Sequence, residues 1–147
     1  MPVKTDAIGK QWPAATYEVG AEKIREFADA IGDPNPAYRD REAARALGHP
    51  DVIAPPTFPF MLTFKASRVI IDDPELGIDY SRVVHGEERF TYSRPVHAGD
   101  ELTVTVTLDT VRSAGGHDMI TSRGEVHTTA GEHVVTAVST LVVRGEG

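Results

Sequence analysis

Between Thr57 and Ile71 the chain reads TFPFMLTFKASRVII. Wound into a helix, Phe58, Phe60, Met61, Leu62, Phe64, Ala66, Val69 and Ile70 lie on nearly every side. A helix that is apolar almost all round belongs inside a protein rather than on its surface. Pro55 and Pro56 stand just ahead. Proline is tolerated in a first helical turn, so the helix is expected to open there and run to about Ile71. Lys65 and Arg68 come late, where the negative end of the helix dipole suits cations. The rest of the chain must supply something to wrap this segment.

Downstream of the helix the chain reads as sheet. Val83 to Tyr92 forms one strand. Leu102, Val104, Val106 and Leu108 alternate with Thr103, Thr105, Thr107 and Asp109, the period of two of a half-buried strand. Met119 to Thr128 and His133 to Val143 come next, parted by a turn at Gly131. Loops are expected at Val96 to Asp100 and at Ser113 to His117. Upstream, Thr16 to Val19 suits a short strand. Ala21 to Ile31 suits a helix, with Ile24, Phe27, Ala28 and Ile31 on one face. Gly32 and Pro34 stop that helix, and Arg39 to Leu47 forms a shorter one closed by Gly48. One short strand, helices, then four long strands around a greasy helix predict an α+β hot-dog arrangement, one domain over residues 1–147. Its sheet has open edges, so a dimer that continues the sheet is the expected solution.

The 147 residues carry a formal net charge of −7 and no cysteine. The acidic balance argues against a nucleic-acid binder, which needs a basic face. Without cysteine there are no disulfides or thiolate metal sites, which fits a cytoplasmic protein. No apolar run is long enough to span a bilayer. Residues 1–10 do not read as a secretory signal. His49, His85, His97, His117, His127 and His133 show neither HxH nor HExxH spacing, so no metal is expected. No cofactor is called for.

The chemistry concentrates in GDPNPAY, Gly32 to Tyr38. One reading is structural: a helix stop and an Asx-Pro turn in which Asp33 and Asn35 bond nearby backbone. The other is an acid/base loop. Hydrating a double bond beside a thioester needs a base to activate water and an acid to protonate the α-carbon.

The stretch resembles the signature of the MaoC-like (R)-specific enoyl-thioester hydratases and (3R)-hydroxyacyl-thioester dehydratases, Gly-Asp-x-Asn-Pro-aliphatic-His. Gly32, Asp33, Asn35 and Pro36 match, while Tyr38 stands where the family has its catalytic His. GHPDVIAPPTF (Gly48 to Phe58) is similar to the family's approach to its central helix. RPVHAGDELTVTVTL (Arg94 to Leu108) is similar to its Pro-x-x-x-Gly-Asp turn and strand. A second departure lies at Pro55 and Pro56. Family enzymes usually place Gly there, leaving an N–H to polarise the thioester carbonyl, and proline has none. Thr57 and Phe58 remain as possible donors. A phenol of pKa about 10 at Tyr38 is a poor base at neutral pH.

Within that family the chain most resembles the FAS1-like N-terminal dehydratases, including the non-catalytic A-type subunits of actinobacterial (3R)-hydroxyacyl-ACP dehydratases. The resemblance implies a heterodimer in which a partner hot-dog subunit keeps the Asp/His pair. This chain would complete the sheet and hold the acyl chain of an acyl-ACP or acyl-CoA thioester. Pro56, Thr57, Phe58, Phe60, Met61, Phe64 and His85 are then the expected substrate-lining residues, with Asp33, Asn35 and Tyr38 a degenerate catalytic motif. For each helix residue alone, plain core is the simpler reading. Three alternatives stay open: an active homodimeric hydratase in which a residue such as His85 replaces the missing acid; a stand-alone acyl-binding protein; and a hot-dog thioesterase, disfavoured because Thr57 to Ile71 contains no Asp or Glu. Glu87 and Glu88 read as a solvated strand end. Arg39, Arg41 and Arg45 make a basic face, solvated or else a docking patch for a phosphopantetheine or an acidic carrier.

Overall fold

The computed structural model describes residues 5–145. Five strands, β1 (Ala15–Glu18), β2 (Val83–Tyr92), β3 (Glu101–Ala114), β4 (His117–Thr128) and β5 (His133–Val143), form one antiparallel sheet in the order β1-β3-β4-β5-β2. Three α-helices accompany it: α1 (Ala21–Ala30), α2 (Arg41–Ala46) and α3 (Pro59–Asp72). Pairing fixes a row across the sheet, Val106 opposite Gly124, Gly124 opposite Ala137, and Ala137 opposite Phe90.

The alternation in β3 does what its period demands. Leu102, Val104, Val106 and Leu108 are buried, while Thr103 and Thr105 look outward. A register shift between Leu108 and Thr110 then re-aims the strand, so Val111 is the next buried residue. The expected Ser113–His117 loop shrinks to Gly115 and Gly116, at φ +60° and +81°. Ala114 already pairs with His117. Positive φ at both central residues is what a tight two-residue hairpin needs.

Helix α3 lies on the concave face, and two expectations about it change. It begins at Pro59, not at Pro55–Pro56. Ala54 donates its N–H to Val96 O in the loop between β2 and β3, and Ile53 bridges His97 there, which holds that stretch extended rather than helical. Nor is α3 buried all round. Leu62, Thr63, Ser67, Ile70 and Ile71 face inward, Phe60, Met61 and Phe64 are half-buried, and Lys65, Arg68 and Val69 are exposed. One sheet covers one side of a helix, so two flanks stay partly open, one toward the β2 edge and one toward β1 and β3. Gly124 sets how closely α3 approaches: a Cβ there would stand 2.8 Å from Thr63 Cγ2.

The RPVHAGD stretch turns out to be a clamp. Arg94 donates from both terminal nitrogens to the Asp100 carboxylate, at 2.9 Å each, and from Nε to Glu132 at 3.0 Å. Asp100 is buried and also accepts the His97 N–H at 2.9 Å. Gly99 and Asp100 exchange backbone hydrogen bonds with Val19, tying this turn to the junction of β1 and α1. Ile31, expected on the inward face of α1, is 48% exposed, because the helix ends at Ala30.

Candidate functional site

Helix α1 ends in a Schellman arrangement. Gly32, at φ +73°, donates to Asp29 O, and Asp33 donates to Ala28 O. A left-handed residue here favours glycine, which is why the motif starts with one. The loop then makes two nested Asx turns. Asp33 Oδ1 accepts from Asn35 N at 3.1 Å, and Asn35 Oδ1 accepts from Ala37 N at 3.0 Å. The structural reading of GDPNPAY is therefore realised in full, and it delivers Tyr38 into the protein.

Tyr38 is only 6% exposed. Burial pushes its phenol up, the Asp33 charge adds to this, and a hydrogen bond with Asn35 opposes it. Tyr92 stands nearby and is pushed up further, first by burial and then by charge on Tyr38. Its hydroxyl donates to Pro56 O at 2.7 Å. Both phenols are therefore neutral at neutral pH. Tyr38, Ala54, Pro56, Tyr92 and Ser93 border a mostly apolar cavity of about 350 Å³. Of the two possible carbonyl polarisers, Phe58 N–H is already given to Pro55 O at 2.9 Å. Thr57 is exposed, and its N–H has no partner among the described residues.

The expected lining residues do not converge on one wall. Pro56 borders the Tyr38 cavity, and Thr57 is not in its lining. Phe58 is wholly buried, edge-on to Phe27 at 5.4 Å, and packs in the core. Phe60 and Phe64 stack at 5.4 Å and meet the His85 ring at 5.4 and 5.5 Å, on the flank of α3 toward β2. Met61 faces the opposite flank, beside Trp12 and Val104.

Glu88 is no solvated strand end. Burial pushes its carboxyl up, opposed by the Ser139 hydroxyl that donates to Oε2 at 2.5 Å and by His85. Its Oε1 is buried with no partner among the described residues. The arginine face is not free either: Arg39 pairs with Asp29 at 2.6 Å, Arg41 with Asp51 at 3.2 Å, and Arg45 with Glu42 at 3.6 Å.

One cluster had no signal in the sequence. Ser93 Oγ lies 2.5 Å from His133 Nδ1, His133 Nε2 lies 2.8 Å from Thr136 Oγ1, and Thr136 donates to Glu125 Oε2 at 2.7 Å. Its members come from just past the end of β2, from β4 and from β5, with Ser93 and His133 forty positions apart, so no local spacing announces it. No group of three or more His, Asp or Glu among the described residues is placed to hold a metal ion. No helix among them is long and apolar enough to cross a membrane.

Residues 6–137 match the FAS1-like dehydratase domain region. The chain belongs to this FAS1-like dehydratase family. A UPF0336 protein of Streptomyces coelicolor is 61% identical over 145 residues, spanning 98% of this chain and 97% of that protein. A UPF0336 protein of Saccharopolyspora erythraea is 53% identical over 146 residues, spanning 99% and 94%. Among solved structures, the C-terminally truncated HadBC (3R)-hydroxyacyl-ACP dehydratase complex of Mycobacterium tuberculosis has a chain 33% identical to this one. Its TM-score is 0.86, over 95% of this chain and 99% of that one. A MaoC-like dehydratase superposes at TM-score 0.87 and 34% identity, over 95% of this chain and 42% of its own length. The fold is the hot-dog of these hydratases and dehydratases, an antiparallel sheet curled on α3.

Proposed function

We propose that this chain, as a single domain over residues 1–147, is the non-catalytic, acyl-binding subunit of a heteromeric (3R)-hydroxyacyl-thioester dehydratase or enoyl hydratase. The observation that carries the reading is Tyr38. A buried phenol whose pKa is raised by burial and by the Asp33 charge cannot take a proton from water at neutral pH. A partner hot-dog subunit with an intact Asp/His pair supplies the chemistry. The HadBC complex, at 33% identity, is a relative that works as a complex, and the sheet here ends at a free β2 edge through which a partner can extend it. The acyl chain then runs along the Phe60, Phe64 and His85 flank, beside that edge, with Pro56 and Thr57 near the thioester. Acyl-ACP and acyl-CoA are both admitted, and the cytoplasm is the compartment that fits a cysteine-free chain of this role.

Mixing the purified chain with an Asp/His-bearing hot-dog subunit tests this. A one-to-one complex by native mass spectrometry, with enoyl-thioester hydration above that of either component, is the expected result. Equal activity with and without this chain overturns it.

One observation favours a second reading, an active homodimer. The Thr57 N–H, without a partner among the described residues, is a donor that could polarise a thioester carbonyl, and His85 stands on the flank where an acid would be needed. Turnover by the chain alone, lost on His85→Ala, would select it.

A further inference from the structure

A second apolar cavity lies away from the hydratase loop. On the flank of α3 opposite Phe60 and Phe64, a space of about 390 Å³ opens between the helix and the β1–β3 side of the sheet. Trp12, Tyr17, Met61, Val69 and Val104 form its walls. None of them borders the Tyr38 cavity. The size falls within the range of small-ligand sites, roughly 300–1,000 Å³.

The wall is built, not accidental. Trp12 donates its indole N–H to Asp73 at 3.2 Å and stacks beneath the Lys10 ammonium at 5.4 Å. Asp73 in turn accepts from Lys10 at 2.6 Å. The segment before β1 is thereby pinned across the end of α3, and it closes one side of the cavity.

The charged groups in the lining are both cations, Lys23 and Lys65. Lys23 is shared with Glu26 at 3.1 Å. Lys65 is exposed and has no acidic partner among the described residues, in a chain of net charge −7. An apolar slot with an uncompensated ammonium at its solvent side matches a chain that is greasy along its length and anionic at one end.

We infer that this cavity is a second ligand site, separate from the hydratase loop, for an unbranched fatty carboxylate whose tail lies between α3 and β3 and whose carboxylate meets Lys65. The ligand is a free acid, not the thioester of the proposed reaction. The site needs neither the partner subunit nor turnover.

Trp12 is the chain's one tryptophan, so its emission reports the site directly. Dodecanoate, dodecanol and dodecylammonium would be titrated below their micellar concentrations into the intact protein. The expected result is a saturable one-to-one change with dodecanoate, and binding of dodecylammonium at least about tenfold weaker. Lys65→Met should weaken dodecanoate about two- to fivefold, the scale of one exposed charge pair. Arg68→Met, whose guanidinium is already held by Asp72 at 3.2 Å, should leave it unchanged. Val69→Phe, at a position 40% exposed and so outside the core, should obstruct the slot and abolish the change. No saturable response to dodecanoate, an equal response to dodecylammonium, or equal losses from Lys65→Met and Arg68→Met overturns the inference. Because no catalysis is read, failure here is distinct from failure of the dehydratase role.

Discussion

Gly124 sits at the centre of β4, between Val106 and Ala137, and it is a point where sheet and helix come very close. In Gly124→Ala the new Cβ would lie 2.8 Å from Thr63 Cγ2 and 3.3 Å from Thr63 Cβ, where ordinary contact starts at 3.4 Å. Thr63 cannot swing aside. It is 3% exposed, and its hydroxyl donates to Pro59 O at 3.0 Å. Either that bond breaks or α3 retreats by about half an ångström along its packed length. Over-packing of this kind costs about 1–3 kcal/mol. Replacing glycine returns about 0.4–1 kcal/mol by restricting the unfolded chain. The net loss is about 1–2 kcal/mol, a fall in Tm of roughly 3–8 °C for a chain this size. Calorimetry at one fixed protein concentration measures it, since any self-association shifts Tm by mass action. Thr63→Ser keeps the hydroxyl and removes the offending methyl, at about 1 kcal/mol on its own. The double variant should then be more stable than the sum of the two losses by about 1 kcal/mol. Strict additivity, or a Gly124→Ala protein as stable as the parent, refutes the close-approach account.

Three further outcomes rest on particular groups. Asp100→Asn removes the charge beneath the Arg94 fork and leaves that half-buried guanidinium with Glu132 as its remaining carboxylate partner. The urea midpoint should fall by the equivalent of about 2–4 kcal/mol with the slope unchanged. Asp73 is held below the usual carboxylate range, first by the Lys10 hydrogen bond and then by Glu75 N–H. Its contribution is complete above the unfolded value of about 3.9 and fades as pH falls through the lower folded value, so the stability gap between parent and Asp73→Asn should close in acid. Glu88 has the opposite sign: its folded pKa is raised by burial, so ionisation weakens the fold as pH rises above about 4.3. Glu88→Gln should therefore be more stable than the parent at pH 7 and indistinguishable from it in acid, by thermal melts at both pH values.

The strands were legible because each side chain in them answers to one local rule. Val83–Tyr92 and His133–Val143 fall where alternation and turn residues place them. The hot-dog class came from four such strands and one apolar helix. The start of that helix did not, because three prolines compete within five positions. Pro59 wins, since Ala54 is bound to Val96 in the loop between β2 and β3. Apolar content also overstated burial: it says which residues prefer the interior, not how much of a helix one sheet can cover. At the hydratase loop, both Asx turns were readable from Asp33 and Asn35, which act on neighbours two positions away. The Tyr92–Pro56 contact and the Ser93–His133–Thr136 chain join residues brought together only by strand pairing. The Lys65 cavity is of the same kind, with walls drawn from residues near 12, 65 and 104.

In the proposed non-catalytic role, the loop kept its turns and lost its catalytic pair. The most direct test is enoyl-thioester hydration by the highly purified chain alone, monitored as loss of the conjugated-enoyl absorbance with short and medium acyl chains. The account predicts no turnover above the uncatalysed rate. It also predicts no enzyme-like rate in Tyr38→His, because Pro55 and Pro56 still lack the usual donor. Robust turnover by the parent chain that disappears in Asp33→Ala, or a fully active Tyr38→His, would contradict it.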